Sequence, residues 1–247
     1  MRRGLAHVGV AGRPSPPVHG PENRASTEHV QPALVLHGYW RSSSAYRVRI
    51  ALELKGLHAT HAPVDLVAGE QRGEAHRARS PSGYVPALEV DGSPIVESVA
   101  ILEWVEEAFP APPLLPSAPL DRAYVRGLVE VVNSGTQPLQ NLWVLTRFFG
   151  NDPQAKADWA REVIARGLAS FEALVDRHRR SSGDRGPFCF GEQPTLADAV
   201  LVPQLYNARR FQVDPAPYPL VRSIEAACLE LESFARARPE AQPDARP

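Results

Sequence analysis

The chain has 247 residues, enough for a substantial core and one or two domains. Hydrophobic residues make up 43% and charged residues 22%, which is ordinary for a soluble globular protein. A formal net charge of −1 argues against nucleic acid or an anionic membrane as partner, and no apolar run approaches the ~18 residues that a membrane span needs.

Residues 1–32 show no helical or strand period, and Gly and Pro recur in Gly12-Arg13-Pro14-Ser15-Pro16-Pro17. They read as a disordered extension. Arg2, Arg3 and Arg13 lack the apolar run or amphipathic face of a targeting segment. The first strand is Leu34 to Tyr39. A helix follows from about Ser44 to Lys55 and ends at Gly56, a usual C′ residue. Between them, Ser42, Ser43 and Ser44 are consecutive hydroxyls. One serine suffices to cap a helix. Three also suit a nest for a small anionic ligand at the helix N-terminus.

His58 to Leu66 reads as a second strand, and Gly69 to Arg79 as a short helix or loop. Val85 to Val90 and Pro94 to Val96 read as a hairpin about Asp91-Gly92, a strong turn dipeptide. Ser98 is expected to cap a helix through Ala100, Ile101, Trp104 and Val105. Phe109 to Pro119 is proline-rich and reads as a linker. Only helices follow: Asp121 to about Phe149, bent at Pro138, then Pro153 to His178. The next opens at Thr195-Leu196-Ala197-Asp198, an Asp variant of the capping box. The last runs from Pro219 to about Arg236, before a polar tail. Cys189 and Cys228 form neither a disulfide framework nor a metal-ligand spacing, and read as buried thiols in helical surroundings. A reduced, cytoplasmic setting fits.

An α/β unit followed by a helical unit, with serines at the first strand-to-helix turn, resembles the cytosolic glutathione transferases. Ser42-Ser43-Ser44-Ala45-Tyr46-Arg47-Val48-Arg49-Ile50-Ala51 resembles the zeta-class signature S-S-C-S-W-R-V-R-I-A. Gln137-Pro138-Leu139-Gln140-Asn141-Leu142 resembles that class's Q/H-P-x-Q-N-L segment. Leu201-Val202-Pro203-Gln204, Asn207 to Phe211 and Tyr218-Pro219 follow in family order. The resemblance covers roughly Ala33 to Pro243. It is to the maleylacetoacetate isomerases, or zeta-class glutathione transferases, with bacterial maleylpyruvate isomerases as close relatives.

The resemblance implies a thioredoxin-like glutathione-binding domain over 33–112, an all-helical substrate domain over 120–238 and a tail over 239–247. It implies glutathione as cofactor, a homodimer and a dicarboxylate substrate. Maleylacetoacetate would be isomerised by addition of the thiolate to the cis double bond, rotation and expulsion. Maleylpyruvate isomerisation, broader transferase activity and a non-catalytic binding role are the alternatives.

A free thiol has a pKa of about 8.5, and lowering it by roughly two units requires about 2.7 kcal/mol of thiolate stabilisation. A hydroxyl donated to sulfur, backed by the positive end of the first helix, is a suitable source. The family frame gives this role to Ser42, with Ser43 as a second hydroxyl. Ser44 stands where the family has cysteine and keeps a hydroxyl beside glutathione; Tyr46 stands where it has tryptophan. Val85-Pro86 resembles the thioredoxin-fold cis-proline, with Val85 pairing to the cysteinyl part of glutathione. Ser98 would hold the γ-glutamyl carboxylate and Glu97 would face the ammonium. Gln71, Gln137 and Asn141 carry over as further polar contacts. Arg41 and Arg210 occupy family positions for substrate carboxylates, which arginine can bind bidentately. Arg47 and Arg49 are assigned to structure.

Overall fold

The computed structural model describes residues 31–246. The extension expected over 1–32 lies, but for its last two residues, outside them. Four strands form one mixed sheet in the order β2-β1-β3-β4. β1 (Leu34–Gly38) runs parallel to β2 (Thr60–Pro63) and antiparallel to β3 (Ala87–Val90), with Leu36 opposite Leu88. β3 and β4 (Ser93–Val96) make the expected hairpin. Asp91 and Gly92 both adopt positive φ, 47° and 83°, as the tight turn between twisted strands requires.

α1 (Ser43–Leu54) and α3 (Ser98–Ala108) pack on the sheet around Leu36, Val48, Leu88, Ile101 and Val105. A 3-10 turn (Glu70–Arg72) and the short α2 (Glu74–Arg77) fill the stretch expected as helix or loop. The proline-rich segment is tied down at its middle, where Leu114 and Leu115 are buried. Glu106, buried, accepts from the main chain of Leu114 and Leu115 at 2.9 and 3.1 Å and from Lys55 Nζ at 2.6 Å. Leu196 N–H donates to Leu114 at 2.9 Å. A buried charge needs such pairing, so Lys55 and Glu106 hold the segment against α1 and α3.

The single bent helix expected from Asp121 to Phe149 is three pieces: α4 (Pro119–Asn133), a 3-10 turn (Gln137–Gln140) and α5 (Leu142–Phe149). Pro138 starts the new turn rather than bending an old one, because it cannot donate to a continuing helix. α6 (Pro153–Ser182) ends at Gly183 in the left-handed conformation, φ 76°. α7 (Leu196–Arg210) carries the expected capping box of Thr195 and Asp198. The expected last helix is broken at Leu231 into α8 (Pro219–Leu229) and α9 (Glu232–Ala237).

α1 is covered by the sheet on one side and by α7 on the other, and every residue from Ala45 to Leu52 is buried. Tyr46, Ile50 and Ala51 join one continuous core with α4, α6, α7 and α8. Cys189 and Cys228 are buried and free, but Cys189 lies in the connection between α6 and α7, off the helices. No helix among the described residues is long and apolar enough to cross a membrane.

Candidate active site

Ser42 is the N-cap of α1: its Oγ accepts from Ala45 N–H at 3.2 Å, and its own N–H donates to the Tyr39 carbonyl at 2.9 Å. A hydroxyl has one donor and two acceptor sites. Capping uses an acceptor site and leaves the O–H free to donate. The two roles read for Ser42, cap and sulfur ligand, are therefore compatible in one side chain. Ser43 and Ser44 open the helix, half-buried, where its unpaired N–H groups lie.

The Val85–Pro86 bond is cis, as expected, and Val85 stands just ahead of β3, whose ladder begins at Ala87. Gln71 adjoins the same loop: its carbonyl is 3.0 Å from where a Cβ of Gly83 would be. The Gln71 Oε1 is buried and has no partner among the described residues. A buried acceptor left open is costly, so it suits a donor brought by a ligand.

At α3 the order differs from the expected one. Glu97 is the N-cap, exposed, with φ 67°, and Ser98 is the first helical residue, buried. Positive φ at a glutamate costs about 1–3 kcal/mol. Ser98 Oγ accepts from Arg47 at 3.2 Å, and the same Arg47 nitrogen donates to Asn133 Oδ1 at 2.9 Å. Arg47 is 1% exposed, and burial lowers its pKa to about 10. Its Nε and second terminal nitrogen have no partner among the described residues. Arg47, read as structural, is buried, and its partners are Ser98 and Asn133, the first a residue expected in the site. Arg49 does serve structure, donating to the carbonyls of Ala237 and Trp40.

Gln137, half-buried, opens the 3-10 turn. Asn141 caps α5 through Oδ1, accepting from Trp143 N–H at 3.1 Å, which leaves its amide N–H groups available.

Arg41 and Arg210 come from opposite halves of the chain, and their charges act on each other, although Arg210 keeps part of its side chain exposed. Burial lowers the pKa of the Arg210 guanidinium, and the Arg41 charge lowers it further. Arg210 donates to Asn207 Oδ1 at 3.0 Å, and Arg41 sits 5.1 Å from the Trp40 ring centroid. Neither pairs with a carboxylate among the described residues. Two like charges that act on each other, neither with a counter-ion among the described residues, make a locally positive region. Tyr206 lies beside them and donates to Glu240 at 2.7 Å; burial and that bond push its pKa up to about 12. Tyr39, Trp40 and Tyr206 belong to no motif, and only the fold gathers them.

Residues 41–108 match the family model for the glutathione S-transferase N-terminal domain, and residues 156–224 match that for the C-terminal domain. These matches and the fold define a glutathione S-transferase. A maleylacetoacetate isomerase from Rhizobium meliloti is 43% identical over 209 residues, covering 83% of this chain and 96% of its own. A maleylpyruvate isomerase from a Ralstonia species is 43% identical over 212 residues, covering 85% and 98%. A crystal structure of maleylacetoacetate isomerase from Anaeromyxobacter dehalogenans has bound dicarboxyethyl glutathione and citrate in the active site. It is 51% identical, with a TM-score of 0.78 over 88% of this chain and 99% of that one. The chain belongs to the maleylacetoacetate isomerase family, the zeta class of these transferases.

Proposed function

We propose that the protein is a glutathione-dependent cis–trans isomerase that converts maleylacetoacetate to fumarylacetoacetate in tyrosine and phenylalanine breakdown. The observation that carries this reading is the pair Arg41 and Arg210: Arg41 adjoins the Ser42 cap of α1, its charge acts on Arg210, and neither has a carboxylate partner among the described residues. A cavity of about 390 Å³ bordered by Tyr39 is lined by Asp65, Glu70 and Asp244 against one guanidinium, Arg246. An acidic lining of this kind disfavours a dianion, which supports reading the substrate on the arginine side.

Several observations fit glutathione. Among the described residues, the Ser42 O–H at the positive end of a helix has no acceptor, and Gln71 and Arg47 hold buried polar atoms without partners. Bound glutathione supplies a nucleophilic thiol that adds reversibly to the substrate double bond. Ser42 holds the sulfur as thiolate by donating its proton in a hydrogen bond, and Ser43 and Ser44 add dipoles from the first turn. Ser98 receives the γ-glutamyl carboxylate, Glu97 its ammonium, and Val85 the cysteinyl main chain. Gln71, Gln137 and Asn141 supply further hydrogen bonds. Arg41 and Arg210 bind the substrate carboxylates and orient the double bond toward the sulfur.

Maleylpyruvate is the second reading, supported by the Ralstonia relative at equal identity. It has the same two carboxylates on a shorter chain. Turnover of each acid, with and without glutathione, separates them. Turnover that requires glutathione without consuming it is expected, and the preferred acid assigns the substrate. No turnover of either, with glutathione still bound, would overturn the isomerase reading in favour of a conjugating transferase. A two-fold assembly and a cytoplasmic location complete the proposal; sedimentation of the purified protein tests the first.

A further inference from the structure

The last described segment, from Ala237 to Arg246, crosses back over the turn that carries Arg41 and Ser42. Asp244 makes the contact. One carboxylate oxygen accepts from Trp40 N–H at 3.0 Å, and the other lies 2.8 Å from His61 Nε2. Both side chains are largely shielded, 14% exposed for Asp244 and 13% for His61. The Trp40 carbonyl is held as well, accepting from Arg49 at 2.9 Å, while Arg49 donates to Ala237 at 2.8 Å. Both main-chain polar groups of Trp40 are thus fixed by, or together with, the C-terminal segment. The buried Trp40 ring is in turn the platform under the Arg41 guanidinium, 5.1 Å from its centroid.

We propose that Asp244 is a positioning residue for the substrate: it fixes Trp40, and through the indole it holds Arg41 facing Arg210. The inference rests on the reading of Arg41 and Arg210 as the partners of the dicarboxylate. Like charges drive the two guanidiniums apart, and a long arginine side chain loses much rotamer freedom when it is held in one place. Left to itself, Arg41 would spread into solvent, away from Arg210. A stacked cation on a clamped ring is instead pre-organised, so less binding energy goes into ordering it. His61 completes the clamp by holding the second carboxylate oxygen, which orients the first toward Trp40.

The test compares Asp244→Ala, Asp244→Asn, Arg41→Ala and the Asp244→Ala/Arg41→Ala double variant in the full chain. Readouts are the substrate KM, kcat, calorimetric affinity for malonate as a non-reacting dicarboxylate, and calorimetric affinity for glutathione. The expected result for Asp244→Ala is about a tenfold rise in KM and a matching loss of malonate affinity. Glutathione affinity should stay within about twofold. Asp244→Asn, whose amide oxygen still accepts from Trp40, should recover most of the loss. In the Arg41→Ala background the Asp244→Ala effect should vanish, since residues acting through one another are non-additive. Unchanged KM in Asp244→Ala, or a full effect persisting without Arg41, would overturn the inference. Arg41→Ala with unchanged KM and malonate affinity would instead overturn the underlying reading of the arginine pair. If Asp244→Ala does not fold, Asp244→Ser, polar but too short to reach Trp40, carries the same readouts.

Discussion

Arg47 donates to Ser98 across 3.2 Å from a position that is 1% exposed. Because Ser98 Oγ accepts from the guanidinium, its own proton stays available for a ligand acceptor such as the γ-glutamyl carboxylate proposed for it. Arg47→Met should therefore weaken glutathione binding by about tenfold or more. Removing a charged hydrogen-bond partner costs about 1.5–3 kcal/mol. A glutathione analogue lacking the γ-glutamyl carboxylate should bind the variant and the parent alike. Equal losses for both ligands would reduce Arg47 to a packing role.

Ser42→Ala removes two things at once. The lost cap costs about 1 kcal/mol of stability, and the lost O–H removes a donor to sulfur. Turnover should fall by orders of magnitude while the melting temperature drops only modestly. The pKa of bound glutathione, followed by thiolate absorbance, should rise. A variant with normal thiolate absorbance and normal turnover would take Ser42 out of the mechanism.

Arg210→Ala should chiefly raise KM for the dicarboxylate and leave glutathione affinity in place, because Arg210 belongs to α7 and not to the sheet half. An unmoved KM returns Arg210 to the surface.

Gly167 on α6 faces Thr136, the residue before Gln137. A Cβ there would lie 2.1 Å from Thr136 Oγ1. Alanine in a helix is favoured over glycine by up to about 1 kcal/mol, but overpacking costs about 1–3 kcal/mol, so the clash wins. Gly167→Ala should lower the melting temperature and disturb the Gln137–Asn141 turn. A higher melting temperature would show that Thr136 can move aside.

Glu89 is held below the usual carboxylate range, first by its hydrogen bond from His37, then by Arg79. A depressed carboxylate pKa contributes stability that is fully present above the ordinary value near 4.5. That contribution is lost as pH falls through the folded value. Melting curves of the parent and Glu89→Gln should thus differ most near neutral pH and converge in acid. A gap that persists in acid would mean that the glutamine was disturbing packing.

Features with local causes were legible in the sequence. The Asp91-Gly92 turn, the Thr195–Asp198 capping box and the serine cap of α1 each follow from a few adjacent residues. The break at Gln137 was not, because the apolar period continues on both sides of it, so Pro138 reads as a bend in one helix and not as the start of a new turn. The positioning groups were least visible. Arg47 finds Ser98 across 51 residues and Asp244 finds Trp40 across 204, and nothing near either residue announces its partner. A charged residue among the apolar positions of α1 was the only local sign of Arg47, and it does not say what the charge is for.

The shared core of α1 and α7 bears on how such proteins could be recombined. The proline-rich stretch invites a crossover there, joining the sheet half of one relative to the helical half of another. Tyr46, Ile50 and Ala51, however, pack into the same cluster as Leu196 to Leu205. A chimera joined at that stretch would keep both half-sites intact in sequence and still mismatch their common interior. Shuffling substrate preference between relatives would then require α1 to travel with α7, even though about 140 residues separate them in the chain.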